Sequence, residues 1–137
     1  MIADSLALQD AYRREFRSLL QYAREAAPYA SVADRPIRDG ILRIADDEAA
    51  ELNAFGERLE AHRVALPYLG SFPVAFTDLN FVAVRHLLPK LIEEQKRDLA
   101  RLDADAPRCS DAAAQTAMRH LAEVHRRHLN ELESLGY

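Results

Sequence analysis

The stretch Met118-Arg119-His120-Leu121-Ala122-Glu123-Val124-His125-Arg126-Arg127-His128-Leu129-Asn130-Glu131-Leu132-Glu133-Ser134-Leu135 carries the fold in its spacing. Met118, Leu121, His125, His128, Leu132 and Leu135 recur at steps of three and four. That is the period of one helix face, and two imidazoles stand where apolar side chains are expected. Pro107 breaks the chain before this stretch and Ser110 offers an N-cap. The pattern therefore predicts a helix over about 110–135.

Three more segments repeat the pattern toward the N-terminus, separated by breakers at Pro28, from Asp34 to Pro36, and from Pro67 to Pro73. The first runs from about Asp4 to Ala27, with Leu8, Tyr12, Glu15, Leu19, Tyr22 and Ala26 on its stripe. The second starts at Asp34, an N-cap with Pro36 in the first turn, and runs to about Val64. Its stripe is Ile37, Ile41, Ile44, Glu48, Glu51 or Leu52, Phe55, Leu59, His62 and Leu66. The third starts near Thr77 or Asp78 and ends near Ala104, with Phe81, Val84, Leu88, Leu91 or Ile92, Gln95, Leu99 and Leu102. Pro89 lies inside it and is expected to kink it. Four amphipathic helices in one domain spanning 1–137 predict an all-α fold, a four-helix bundle. The short links after the first and third helices make hairpins. The link from Pro67 to Phe76 reaches roughly 30 Å when extended, long enough to cross over along much of the bundle, with a plain up-down bundle as the alternative.

The composition narrows the function classes. Of 137 residues, 49% are hydrophobic and 29% charged, a globular balance. The net charge of −4, without a long basic run, disfavours a nucleic-acid partner. Cys109 has no second cysteine to pair with, which suits a reducing compartment. No run is apolar for long enough to span a bilayer, and the N-terminus does not read as a signal peptide. The expected setting is the cytoplasm, with no membrane partner.

The polar residues on the stripes are the functional signal. Glu15 and Glu48 sit midway along their helices, each about 18–20 Å from the turn they share at 1.5 Å per residue. His125 and His128 lie one turn apart on one face, the spacing by which a helix gives two ligands to one site. A buried carboxylate needs a cation or a metal beside it. The alternative is solvated stripe-edge glutamates and hydrogen-bonded core histidines, with Glu51 and Leu52 competing for one inward position.

These residues resemble the ferritin-like superfamily, bacterioferritin-type and rubrerythrin-type helices in particular. Glu15-Phe16-Arg17-Ser18-Leu19-Leu20-Gln21-Tyr22 is similar to the family's first-helix pattern of a bridging Glu followed seven residues later by Tyr. Asp47-Glu48-Ala49-Ala50-Glu51 and His125-Arg126-Arg127-His128 look like its two Glu-x-x-His segments. The resemblance covers most of the chain and implies a ferritin-like bundle with the crossover between helices two and three. It implies iron, or else manganese or zinc, held by Glu15, Glu48, Glu51, His125 and His128, with Glu93 or Glu94 from helix three. Tyr22 would stand beside the metal as a hydrogen-bond or redox neighbour, and the activity would be Fe(II) oxidation or a related oxidation. Glu51 replaces the family's His, His125 replaces its Glu, and Gln95 fits the third stripe better than either glutamate. Ala49 stands where a haem-binding Met would be, so no haem of that kind is expected. The family also suggests a homodimer. Without the short extra helix of cage-forming ferritins, a storage cage is not expected. The competing reading is a bundle that has lost its metal and serves as a binding or scaffold module.

Overall fold

The computed structural model describes residues 1–26 and 28–136. Among them the chain is all-helical, with no strand. Five α-helices follow one another: α1 (Ser5–Phe16), α2 (Leu19–Ala26), α3 (Arg35–Ala61), α4 (Val84–Asp105) and α5 (Ala112–Leu135). Short 3₁₀ turns stand at Ile2–Asp4, Val32–Asp34, Val74–Leu79 and Ala106–Arg108. No helix among the described residues is long and apolar enough to cross a membrane.

The first predicted helix is therefore two. Arg17 and Ser18 leave the helical path, and Ser18 opens α2. Its Oγ accepts from the Gln21 N–H at 3.3 Å and its carbonyl from the Tyr22 N–H at 3.0 Å. Serine favours such caps because its hydroxyl competes for nearby backbone groups. The expected end of this segment at Ala27 lies outside the described residues.

The other boundaries also shift. α3 stops at Ala61, where Arg63 takes a left-handed φ of 61° and the Val64 N–H reaches back to the Leu59 carbonyl at 2.9 Å. That is a Schellman closure, and it leaves His62 and Leu66 exposed beyond the helix. α4 starts at Val84, so Phe81 is not on its stripe; it precedes the helix and is 96% exposed. α4 runs on through Pro89, which lies on an exposed face and has no N–H to give to the preceding turn. The N-cap of α5 is Asp111, not Ser110. Its carboxylate accepts from the Ala113 N–H at 2.7 Å and the Ala114 N–H at 3.3 Å. Asp111→Ala is expected to lower stability by about 1 kcal/mol, seen as a fall of a few degrees in melting temperature.

The link between α3 and α4, residues 62–83, runs the length of α1 and α2. Its Ala65 carbonyl accepts from Gln9 Nε2 near the start of α1. Gly70, at φ +70°, gives its carbonyl to Arg17 Nε at 2.8 Å. Phe72 and Phe76 pack on Tyr22, and the Val84 N–H meets the Tyr29 carbonyl at 3.0 Å beyond α2. α3 and α4 consequently run in the same direction. α5 packs on both, and α1 and α2 pack on α3 and more lightly on α4.

The apolar core forms two clusters. One gathers Leu8, Tyr12, Leu52, Phe55, Leu59, Leu102, Met118 and Leu121. The other gathers Leu19, Leu20, Ile41, Ile44, Val84, Leu87, Leu91 and Leu132. Gly56 lets α1 approach α3 closely, since an added Cβ would lie 2.8 Å from Tyr12 Cε2. The Tyr12 ring is buried and stacked edge-on against Phe16, so it cannot swing aside freely. For Gly56→Ala, overpacking of about 1–3 kcal/mol should outweigh the helix-propensity gain of about 1 kcal/mol. Denaturant unfolding should therefore show a less stable protein.

Candidate functional site

Between the two apolar clusters every long helix contributes a polar side chain. Glu15 of α1, Ser18 just before α2, Gln21 of α2, Glu48 of α3, Gln95 of α4, and His125 and His128 of α5 are all buried. Filling such positions with apolar side chains would contribute about 1.5–3 kcal/mol each by burial. The sequence forgoes that gain in this layer; the other buried polar residues among those described, Asp4 and Asp34, lie at helix starts.

The layer centres on His125. Its Nε2 lies 2.8 Å from Glu15 Oε2 and 3.9 Å from Glu48 Oε2, and its Nδ1 faces the Leu121 carbonyl at 3.2 Å. An acceptor at each ring nitrogen calls for a proton on each, so the ring is an imidazolium. Burial alone would lower its pKa. The hydrogen bond to Glu15 and the charges of Glu15, Glu48 and Asp98 outweigh burial and raise it to about 9. For Glu15 burial is again the largest effect, pushing the pKa up. The bond to His125, its charge and the Arg14 guanidinium together win, and the carboxyl is held below its usual value. Arg14 Nε donates to Glu15 Oε1 at 3.1 Å, while Arg14 Nη2 is buried without a partner.

Glu48 is surrounded by neutral donors. Gln21 Nε2 donates to its Oε1 at 3.1 Å, Ser18 Oγ to the same oxygen at 3.4 Å, and Gln95 Nε2 to its Oε2 at 3.3 Å. Burial is the main cause of its raised pKa, with the neighbouring Glu15 adding and His125 and the amides offsetting part.

Asp98 of α4 completes the group, and the sequence pattern missed it. One ligand-type atom from each of Glu15, Asp98 and His125 lies within 4.8 Å of the others. The Asp98 carboxyl is pushed up to about 8, first by burial and then by the charges of Glu15 and Glu94. The signal was present: Leu91, Gln95, Asp98 and Leu102 keep the three–four step, but Leu99 is the apolar choice at the same turn. Counting back from His125 by equal residue numbers across the turn at Pro107 puts the matching level near Ile92, beside Glu93 and Glu94, and not at Asp98. The 3₁₀ segment Ala106–Arg108 and the cap at Asp111 offset α4 from α5, so equal counts do not mean equal heights.

The remaining candidates lie around this centre. His128 is buried, with Nε2 at 2.6 Å from Asp47 Oδ2 and Nδ1 without a partner. Asp47 also accepts from Arg127 at 2.5 Å. Glu51 faces outward, 3.2 Å from His120 and beside Arg127, in a surface groove of about 350 Å³. Glu93 is exposed. Glu94 accepts from the Leu19 N–H at 2.6 Å; burial raises its pKa to about 6 against that bond. Tyr22 turns away from the layer. Its hydroxyl donates to Asn80 Oδ1 and its ring stacks on Phe72 and Phe76, because the break at Ser18 rotates Gln21 inward in its place.

Fold and site together define an all-helical protein with a buried carboxylate–imidazole cluster. Comparison with family models, curated proteins and solved structures returns no match.

Proposed function

We propose that this chain is a ferritin-like helical bundle that binds one divalent metal ion, iron or manganese with zinc as a further candidate, at Glu15, Asp98 and His125. The observation that carries the reading is the convergence of these three donors from three different helices. They meet in a layer where Glu15 and His125 are fully buried and Asp98 is half-buried, with Glu48 buried beside them. Two carboxylates and one imidazole suit hard or borderline divalent ions. The Leu121 carbonyl fixes His125 through Nδ1 and aims Nε2 at the cluster, as a backbone acceptor does for metal-bound histidines; an ion taking Nε2 would displace the proton that this nitrogen now gives to Glu15. The Asp47 carboxylate holds His128 through Nε2, which leaves its buried Nδ1 without a partner. Glu48 lies next to the three donors and serves as a neighbouring ligand or as a partner for bound water. The parallel run of α3 and α4, joined by a link along α1 and α2, supports the ferritin-like architecture. Bound iron supplies redox chemistry, and with it the Fe(II) oxidation that the resemblance implies. The donor set fits a single ion better than a pair, since Glu51 and Glu93 face away from the cluster.

The reading of a metal-free interaction module has one observation in its favour. Glu15 and His125 satisfy each other directly, and Glu48 is covered by two amides. Anaerobic reconstitution with Fe(II), desalting and measurement of metal content separates the two. A single ion per chain is expected. No retained ion, with an unchanged melting temperature, would establish the metal-free reading instead.

A further inference from the structure

We infer that Glu94 is a positioning residue: its carboxylate caps the break between α1 and α2 and thereby aims Ser18 and Gln21 at Glu48. The inference starts from a backbone hydrogen bond that the chain cannot make for itself. In a continuous helix the Leu19 N–H would bond to the Glu15 carbonyl. Here that carbonyl is taken by the Ser18 N–H at 3.3 Å and by the Arg17 cap. Leu19 is 4% exposed, so water does not easily replace the missing acceptor. An unpaired buried N–H is destabilising, and nearly all are paired in folded proteins. Glu94 Oε1 reaches across from α4 and accepts from Leu19 at 2.6 Å. A carboxylate at the start of a helix is also favoured by the helix dipole.

The consequences of the break lie one turn further on. Ser18 Oγ accepts from the Gln21 N–H and donates to Glu48 Oε1. Gln21 Nε2 divides its two protons between the Ala45 carbonyl at 2.9 Å and Glu48 Oε1. With the helix unbroken, the stripe would bring Tyr22 inward and leave Gln21 beside it. Glu94 thus fixes the backbone turn that supplies two of the three neutral donors to Glu48. Its carboxylate is engaged in that role and is not a metal ligand, unlike the glutamate that the ferritin resemblance places on this helix. Arg17 and Phe72 brace the break from outside, with the guanidinium 4.6 Å over the ring.

Glu94→Gln and Glu94→Ala in the full chain test this inference with two readouts. The amide side chain of Gln keeps an acceptor for the Leu19 N–H, whereas Ala leaves none. Hydrogen exchange of the amides from Leu19 to Tyr22, read without metal, is expected to accelerate at least tenfold in Glu94→Ala and to return near the parent rate in Glu94→Gln. Co(II) titration followed by visible absorption forms the second arm and rests on the metal-binding reading. Glu94→Gln is expected to keep Co(II) affinity within about threefold of the parent, and Glu94→Ala to lose more than tenfold. Unchanged exchange in both variants overturns the cap. Equal loss of Co(II) in both, with exchange intact, makes Glu94 a ligand instead. If the parent itself takes up no Co(II), the metal reading fails, and the exchange arm still decides the cap.

Discussion

Saturating Mn(II) is expected to raise the melting temperature of the full chain by on the order of 10 °C, and His125→Ala to abolish that rise. An ion that binds only the folded state stabilises it by about 2.7 kcal/mol at a free concentration a hundredfold above its dissociation constant. The unfolded chain cannot compete for it well, because positions 15, 98 and 125 are brought together only by packing α1, α4 and α5. The comparison is made within each variant, with and without ion, since removing His125 also lowers the stability of the metal-free protein. Asp98→Asn keeps the shape of the side chain but cannot ionise to give a bound ion a carboxylate, and affinity should fall at least tenfold. Glu93→Ala provides the control: that side chain is exposed, and its substitution should leave the shift intact. The same rise in His125→Ala as in the parent would place the ion elsewhere, the groove of Asp47, Glu51 and Glu131 being the next acidic location.

Periodicity reads the layer well where apolar and polar residues alternate strictly. Glu15, Glu48, Gln95, His125 and His128 stand out in the sequence because each replaces an apolar residue at a fixed step, and all five are buried. The step fails where a local interaction overrides it. Ser18 diverts the backbone with its own hydroxyl, which rotates Tyr22 out toward the crossover and Gln21 into the core. No hydrophobic pattern encodes that rotation; it follows from one side-chain hydrogen bond and one carboxylate on another helix. Asp98 is hidden for a different reason. Two adjacent residues share one turn, and apolarity selects Leu99 when the site needs its neighbour. The long link is legible as long enough for a crossover, but the sequence leaves an up-down path equally open, and its anchors on Arg17 and Tyr22 depend on where the break turns those side chains. Relative height along the helices is the least legible quantity, because a 3₁₀ turn and a cap shift whole helices without altering their stripes.

In the presence of a chelator, Glu15→Leu and His125→Leu are each expected to lower stability by about 3–5 kcal/mol, while the double variant recovers most or all of that loss. The single changes leave one member of a fully buried ion pair without its partner, and the remaining group must be neutralised or stay charged in a dry core. The double change removes both charges and joins the two apolar clusters through the layer that now separates them. For the paired residues, replacement of both by apolar side chains of similar volume is commonly neutral or stabilising by about 1–4 kcal/mol. Urea unfolding of the parent, both single variants and the double variant gives the interaction energy directly as a double-mutant cycle. The double variant should also take up no metal. Recovered stability together with lost metal binding would mean that the pair is retained for what it binds, since the fold alone does better without it. A double variant as unstable as the single ones would mean the reverse: the pair then fixes how the helices dock, through the neighbouring Glu48 and Asp98 that an apolar layer cannot accommodate. Asp98 is the group that decides between these outcomes. In the double variant Asp98 loses both charged neighbours, Glu15 and His125, while the burial that does most to push its carboxyl up to about 8 in the parent remains.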